Sequence, residues 1–185
     1  YQQLRPIIYK LRYLATQAPE IDANRLYTDT LLKHDRLTGF LSRYGLMERI
    51  DQEIARAKRF RNVFTLTVLT IRPLDSQPGV SASDYQSMCL ADAAAQLKKT
   101  VRTVDIAARF SEQRLAVLMV QTGAQAANRA LVRFLLQIKP SEGLAYRVSG
   151  SITAYQGESA EDLLLRAEHD ARTQVVIGEN NVRRY

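Results

Sequence analysis

Apolar and polar positions along the chain alternate between a helical and an extended period, and their order predicts helices interleaved with strands. Leu4, Ile7, Ile8, Leu11 and Leu14 recur at helical spacing, Pro19 interrupts them, and Asp22 is placed to cap a second helix through Leu26, Leu31 and Leu32. These two segments read as connector helices whose apolar stripes would pack on an upstream domain or on a second copy of the chain, with Tyr9 and Tyr13 against them. Asp35-Arg36-Leu37-Thr38-Gly39 breaks the pattern with a turn. A long amphipathic helix is expected from about Arg43 to Phe60, with Leu46, Ile50 and Ile54 on one face. The alternating, β-rich run from Phe64 to Ile71 reads as a strand, closed by a loop at Pro73, Pro78 and Gly79.

Ser83 or Asp84 is expected to cap a helix running to about Val101. Two short strands, Ile106 to Phe110 and Arg114 to Val120, lie close enough to form a hairpin. A helix from about Ala124 to Ile138, a strand from Tyr146 to Tyr155 and a last helix from about Ser159 to Val175 complete the series. A hairpin set among helix–strand alternations favours an α+β fold with a mixed sheet and helices on its faces.

Composition changes this picture little. The chain has 185 residues, 46% hydrophobic and 24% charged, which suits one folded domain with a short appendage. No apolar run is long enough to span a bilayer. The start, Tyr1-Gln2-Gln3-Leu4-Arg5-Pro6, lacks a signal-peptide pattern and an initiator Met, so the chain is expected to be a piece of a larger protein that could carry a membrane anchor or a sensor. Cys89 is the only cysteine; it fits a small buried residue and a cytoplasmic location.

The net charge of +7 favours phosphate-bearing partners. Its two clusters, Arg56-Ala57-Lys58-Arg59-Phe60-Arg61 and Lys98-Lys99-Thr100-Val101-Arg102, sit near expected helix C-termini, where cations also answer the helix dipole. Neither zinc-finger spacing nor an aromatic RNA-binding signature accompanies them, so no nucleic-acid partner is expected. His34 and His169 are far apart in sequence and read as surface residues, and a Ser111–Asp105–His169 triad has no support from spacing.

Asp35-Arg36-Leu37-Thr38-Gly39-Phe40-Leu41-Ser42-Arg43 resembles the opening signature of GGDEF domains, the diguanylate cyclase family, Asp-x-Leu-Thr-Gly-Leu-x-Asn-Arg, with departures at Phe40 and Ser42. Arg102 to Asp105, Ala108-Arg109-Phe110, Leu115 to Met119, Val148 to Ile152 and Gly178-Glu179-Asn180 resemble later family segments in the same order. The resemblance covers about His34 to Tyr185. It implies residues 1–33 as a helical connector, or the end of an upstream domain, and residues 34–185 as the GGDEF domain. The fold it implies is a central, mostly antiparallel five-stranded sheet flanked by helices, akin to adenylyl cyclase and polymerase palm domains.

Active members of the family join two GTP molecules with the help of metal ions and of close backbone approach to the triphosphate. Here the signature hairpin is Ser111-Glu112-Gln113-Arg114-Leu115 in place of Gly-Gly-Asp/Glu-Glu-Phe. Side chains at Ser111 and Glu112 replace two bare backbones, and Glu112 adds a negative charge. Gln113 is a poor magnesium ligand, and Arg114 reverses the sign of an acidic position. Thr70 falls where the family has a metal-binding aspartate, and Asp75 where it has lysine. The guanine-reading positions fall on Pro78 and Ser87, and the phosphate-binding ones on Val175 and Glu179. The resemblance therefore implies a degenerate domain without catalytic residues, metal or resident cofactor.

Many family members also bind their product at a separate inhibitory site marked Arg-x-x-Asp. Arg102-Thr103-Val104-Asp105 stands at the family's distance before the hairpin, and Arg133, with Arg129 one turn earlier, fits the assisting position on the following helix. An arginine fork and a carboxylate suit the edges of guanine. An i,i+3 ion pair is the plainer reading, and Arg72-Pro73-Leu74-Asp75 repeats the motif out of register. The expected function is a regulatory module receiving cyclic di-GMP through Arg102, Asp105, Arg129 and Arg133. The alternative is a nucleotide-independent interaction or dimerisation module, docking on other domains of the same chain, on partner proteins or as a homodimer. An active diguanylate cyclase ranks behind both.

Overall fold

The computed structural model describes residues 32–74, 77–173 and 176–177. The expected connector helices, with Tyr9 and Tyr13, lie outside the described residues except for the last two positions, Leu32 and Lys33, which are helical. Helix α1 spans Arg43–Phe60, strand β1 Phe64–Pro73, helix α2 Ala82–Lys98, strands β2 and β3 Ile106–Ser111 and Arg114–Val120, helix α3 Ala124–Gln137, strand β4 Tyr146–Ala154, helix α4 Ala160–Thr173 and strand β5 Val176–Ile177. The sheet order is β2-β3-β1-β4-β5, and every neighbouring pair is antiparallel. The expected count of five strands needs correction: four strands of six to ten residues carry the sheet, and β5 is a two-residue pairing at its edge.

The sheet separates two cores. Leu69, Ile71, Leu115, Val117 and Val148 point into the layer holding α2 and α3, whereas Leu66, Val68, Ala116 and Leu118 point towards α1 and α4. Strand β1 is central, so its alternation does not mark a wet face: its first eight residues are all buried. Two of its three threonines are satisfied internally, Thr65 donating to the Thr122 carbonyl at 2.8 Å and Thr67 to the Met119 sulfur at 3.3 Å. Gly150 on β4 admits α3 closely, since a Cβ there would lie 2.4 Å from Leu131 Cδ1.

The cap of α2 also differs from expectation. Ser81, not Ser83 or Asp84, is the N-cap; its hydroxyl accepts from the Asp84 N–H at 3.1 Å and donates to the Asp84 carboxylate at 2.6 Å. Serine followed three residues later by an acid satisfies both ends of the first turn, and Ser159 with Asp162 repeats the device before α4. Helix α2 stops at Lys98 rather than near Val101, because Lys99 to Val101 turn back onto the Gln96 and Leu97 carbonyls.

Candidate functional site

The opening motif forms a turn pinned to the edge of the sheet. Asp35 accepts from the Thr38 N–H at 3.1 Å and hydroxyl at 2.9 Å, and Gly39 closes the turn with a φ of 70°. The same carboxylate pairs with Arg109 on β2 at 3.0 Å. Burial works to raise the Asp35 pKa, but the hydrogen bonds from Arg109 and Thr38 outweigh it and hold the carboxyl below its ordinary value. Leu41 donates to the Ala107 carbonyl and accepts from the Arg109 N–H, which covers the free edge of β2. The Arg43 guanidinium lies 4.6 Å over the Phe110 ring and 3.5 Å from Glu168 on α4.

Arg109 and Phe110 lead into the hairpin. A bulge falls between Arg109 and Ser111, Ser111 pairs with Arg114, and Glu112 and Gln113 form the exposed turn. The Gln113 carbonyl accepts from the Ile71 N–H at 2.8 Å, tying the hairpin tip to β1. Leu115 is fully buried and anchors the hairpin base.

Thr70 on β1 stands directly across from Arg114 on β3 and, on its other side, from Ser149 on β4. The two positions the sequence singled out as lost metal ligands are thus cross-strand neighbours. Thr70 is buried, and Arg114 approaches Glu168 at 3.9 Å. Glu168 also receives Arg172 at 3.1 Å and Arg43 at 3.5 Å. The point where magnesium would need carboxylates therefore holds a threonine hydroxyl and an arginine whose partner is Glu168. These residues do not fit the metal that the family implies.

A cavity of about 420 Å³ opens between the hairpin turn (Glu112, Gln113), Arg109 and the first turns of α2 (Ser83, Gln86, Ser87). Of the two positions aligned with guanine reading, Ser87 lines it, while Pro78 is exposed in the loop before α2. Asp75, Val175 and Glu179 lie outside the described residues.

Arg102 and Asp105 frame the turn before β2, with the Asp105 N–H donating to the Arg102 carbonyl at 3.0 Å. Asp105 is 9% exposed, and its Oδ1 accepts from the Val120 N–H at 3.2 Å. Burial pushes its carboxyl above the ordinary range, against the Val120 hydrogen bond and the charges of Arg102 and Arg133. Arg102 and Arg133 each lie within electrostatic reach of Asp105, while Arg129, exposed one turn earlier, is not among the charges acting on it. The simple i,i+3 surface pair does not describe this carboxylate, which is buried and fastens the end of β3.

Sequence reasoning missed the Asp35–Arg109 pair and the Glu168 cluster, whose partners lie far apart along the chain. It also missed a network in which Asp92 accepts from Tyr146 at 2.6 Å and from the Ser141 and Gln96 side chains, locking the segment before β4 onto α2. Burial, followed by the Asp92 charge beside it, pushes the buried Cys89 thiol up, in keeping with a packing role. Asp105 and Ser111 stand at opposite ends of β2, roughly 20 Å apart at strand rise, so they share no site. Among the described residues, no helix is long and apolar enough to cross a membrane.

Residues 32–180 match the family described as "Diguanylate cyclase, GGDEF domain". The chain is 31% identical over 160 residues to diguanylate cyclase DgcP of Pseudomonas aeruginosa, covering 77% of this chain and 23% of that protein. The chain thus spans less than a quarter of that relative's length. Its fold is that of the diguanylate cyclase SiaD of Pseudomonas aeruginosa, solved with its activator SiaC (TM-score 0.63, 20% identity, 94% of this chain and 70% of that one). It is equally that of the coiled coil and GGDEF domain of DgcB from Caulobacter crescentus, solved with cyclic di-GMP (TM-score 0.65, 16% identity, 88% and 92%). With the turn, the hairpin and the sheet order all in place, the chain belongs to the GGDEF-domain family of diguanylate cyclases.

Proposed function

We propose that this domain does not turn over GTP and acts as a regulatory module that receives cyclic di-GMP at the face formed by Arg102, Asp105 and Arg133, with Arg129 at its margin. The observation that carries the first half is the pairing of Thr70 with Arg114: a threonine and an arginine, the latter turned to Glu168, occupy the two positions aligned with the family's metal carboxylates. Two triphosphates brought together there would meet the Glu112 charge without a metal to offset their repulsion.

The second half rests on Asp105. Its Oδ1 is occupied by Val120, and no described residue donates to Oδ2, which leaves an acceptor beside two exposed arginines. A doubly anionic guanine dinucleotide matches that combination of guanidinium forks and one carboxylate oxygen. Calorimetric titration of cyclic di-GMP tests it. Binding by the parent chain and its loss in Arg102→Ala is expected, and equal heats from both would refute the assignment.

A protein partner is the second reading. Val132 and Leu136 are 42% and 43% exposed on the α3 face that also carries Arg129 and Arg133. SiaD, whose fold this chain shares, is solved with an activator protein. Light scattering of the 185-residue chain over a range of concentrations tests it: self-association lost when Val132 and Leu136 are replaced by Ser is expected, and an unchanged monomer throughout would count against it.

A further inference from the structure

We propose that the cavity between the hairpin turn and α2 binds a small organic cation rich in N–H donors, an amine or guanidinium compound, rather than a phosphate. The argument is one of charge and of unused acceptors. Arg109, the cation in the wall, is already matched: its Nη1 pairs with Asp35 at 3.0 Å and its Nε donates to the Ser111 carbonyl at 3.3 Å. The N-terminus of α2, the other positive feature, is capped by Ser81 and carries Asp84 in its first turn. The charge left over is the carboxylate of Glu112, which is exposed in the turn and paired with no described residue.

The remaining wall is rich in acceptors. Gln86 donates its Nε2 to the Ile71 carbonyl at 3.4 Å, so its amide oxygen is unspent, and no described residue donates to the side-chain oxygens of Ser83, Ser87 or Gln113. Tyr85, largely buried in the core, borders the same space. A carboxylate with amide and hydroxyl oxygens suits an alkylammonium or guanidinium group. A volume of about 420 Å³ suits a ligand of that size. A bound cation would bridge Glu112 to α2 and bear on the Gln113–Ile71 hydrogen bond that ties the hairpin to β1.

Agmatine, which carries a guanidinium and an ammonium, is the probe, titrated into the full 185-residue chain by calorimetry and by amide chemical-shift mapping. Shifts are expected at Ser83, Gln86 and Gln113. Glu112→Gln should weaken binding by about tenfold or more, the loss of a charge-assisted contact. Neutral N-butylurea should bind weaker by a similar factor, and GTP should not compete. Arg102→Ala should leave agmatine binding unchanged, so failure of the cyclic di-GMP assignment and failure of this one are distinguishable. No binding by the parent chain, equal affinity in Glu112→Gln, or displacement by GTP would each overturn the proposal.

Discussion

Replacing Thr70 by Asp and Arg114 by Glu together should create a divalent metal site at a place where the described residues bring no cluster of ligating side chains together. The two positions face one another in the β1–β3 register, so the new carboxylates would project from adjacent backbones onto the α1/α4 side of the sheet. Without metal the double variant should be less stable. Arg114 and Glu168 are 3.9 Å apart. At an effective dielectric of 20 that separation corresponds to about 4 kcal/mol of bare Coulomb energy, of which solvent screening leaves about 1 kcal/mol net. Turning the attraction into repulsion and burying a second carboxylate at position 70 brings the expected loss to roughly 3 kcal/mol, with Arg43 and Arg172 still balancing Glu168. Manganese at about 100 times its dissociation constant should restore about 2.7 kcal/mol to the double variant. The assay is urea denaturation with and without manganese. A parent chain whose midpoint shifts with manganese as far as that of the double variant would refute the reasoning.

Other expectations follow from single contacts. Asp35→Asn should cost about 2 kcal/mol by removing a charge-assisted pair to Arg109, as read by denaturant midpoint. Because the folded Asp35 pKa is depressed below 3.8, the stability this group adds is present above that pH and is lost as pH falls through the folded value; acid titration of the parent chain should show this loss and Asp35→Asn should not. Asp105 is shifted the other way, so ligand binding that needs its carboxylate should weaken on acidification at a pH above 3.8, a dependence Asp105→Asn should lack while keeping the Val120 hydrogen bond. Gly150→Ala should destabilise by about 1–3 kcal/mol, because the new methyl would strike Leu131 and Leu69 in a closed core; a midpoint within error of the parent would contradict the packing described.

The order of elements was legible because each has a strong local signal: helical spacing from Leu46 to Ile54, β-branched runs at Phe64 to Ile71, and turn residues between them. The starts of α2 and β2 show the limit of such signals. Several serines and acids compete for the α2 cap, and only the hydrogen bonds single out Ser81. The motif Arg102-x-x-Asp105 could be found by spacing, yet spacing cannot tell a surface ion pair from a buried carboxylate holding a strand end. Glu168 was invisible for the same reason: its partners Arg43 and Arg114 are joined to it only by the packing of α1 and α4 on one face of the sheet. The reversal of charge at Arg114 was readable outright, since a guanidinium cannot ligate magnesium in any fold. What the structure adds is that Thr70 meets it across the strands.

The most direct test is to incubate the 185-residue chain with GTP and magnesium and to analyse the mixture by chromatography and mass spectrometry. Unchanged GTP is the predicted result. Cyclic di-GMP accumulating in proportion to protein, and abolished by Thr70→Ala, would contradict the account.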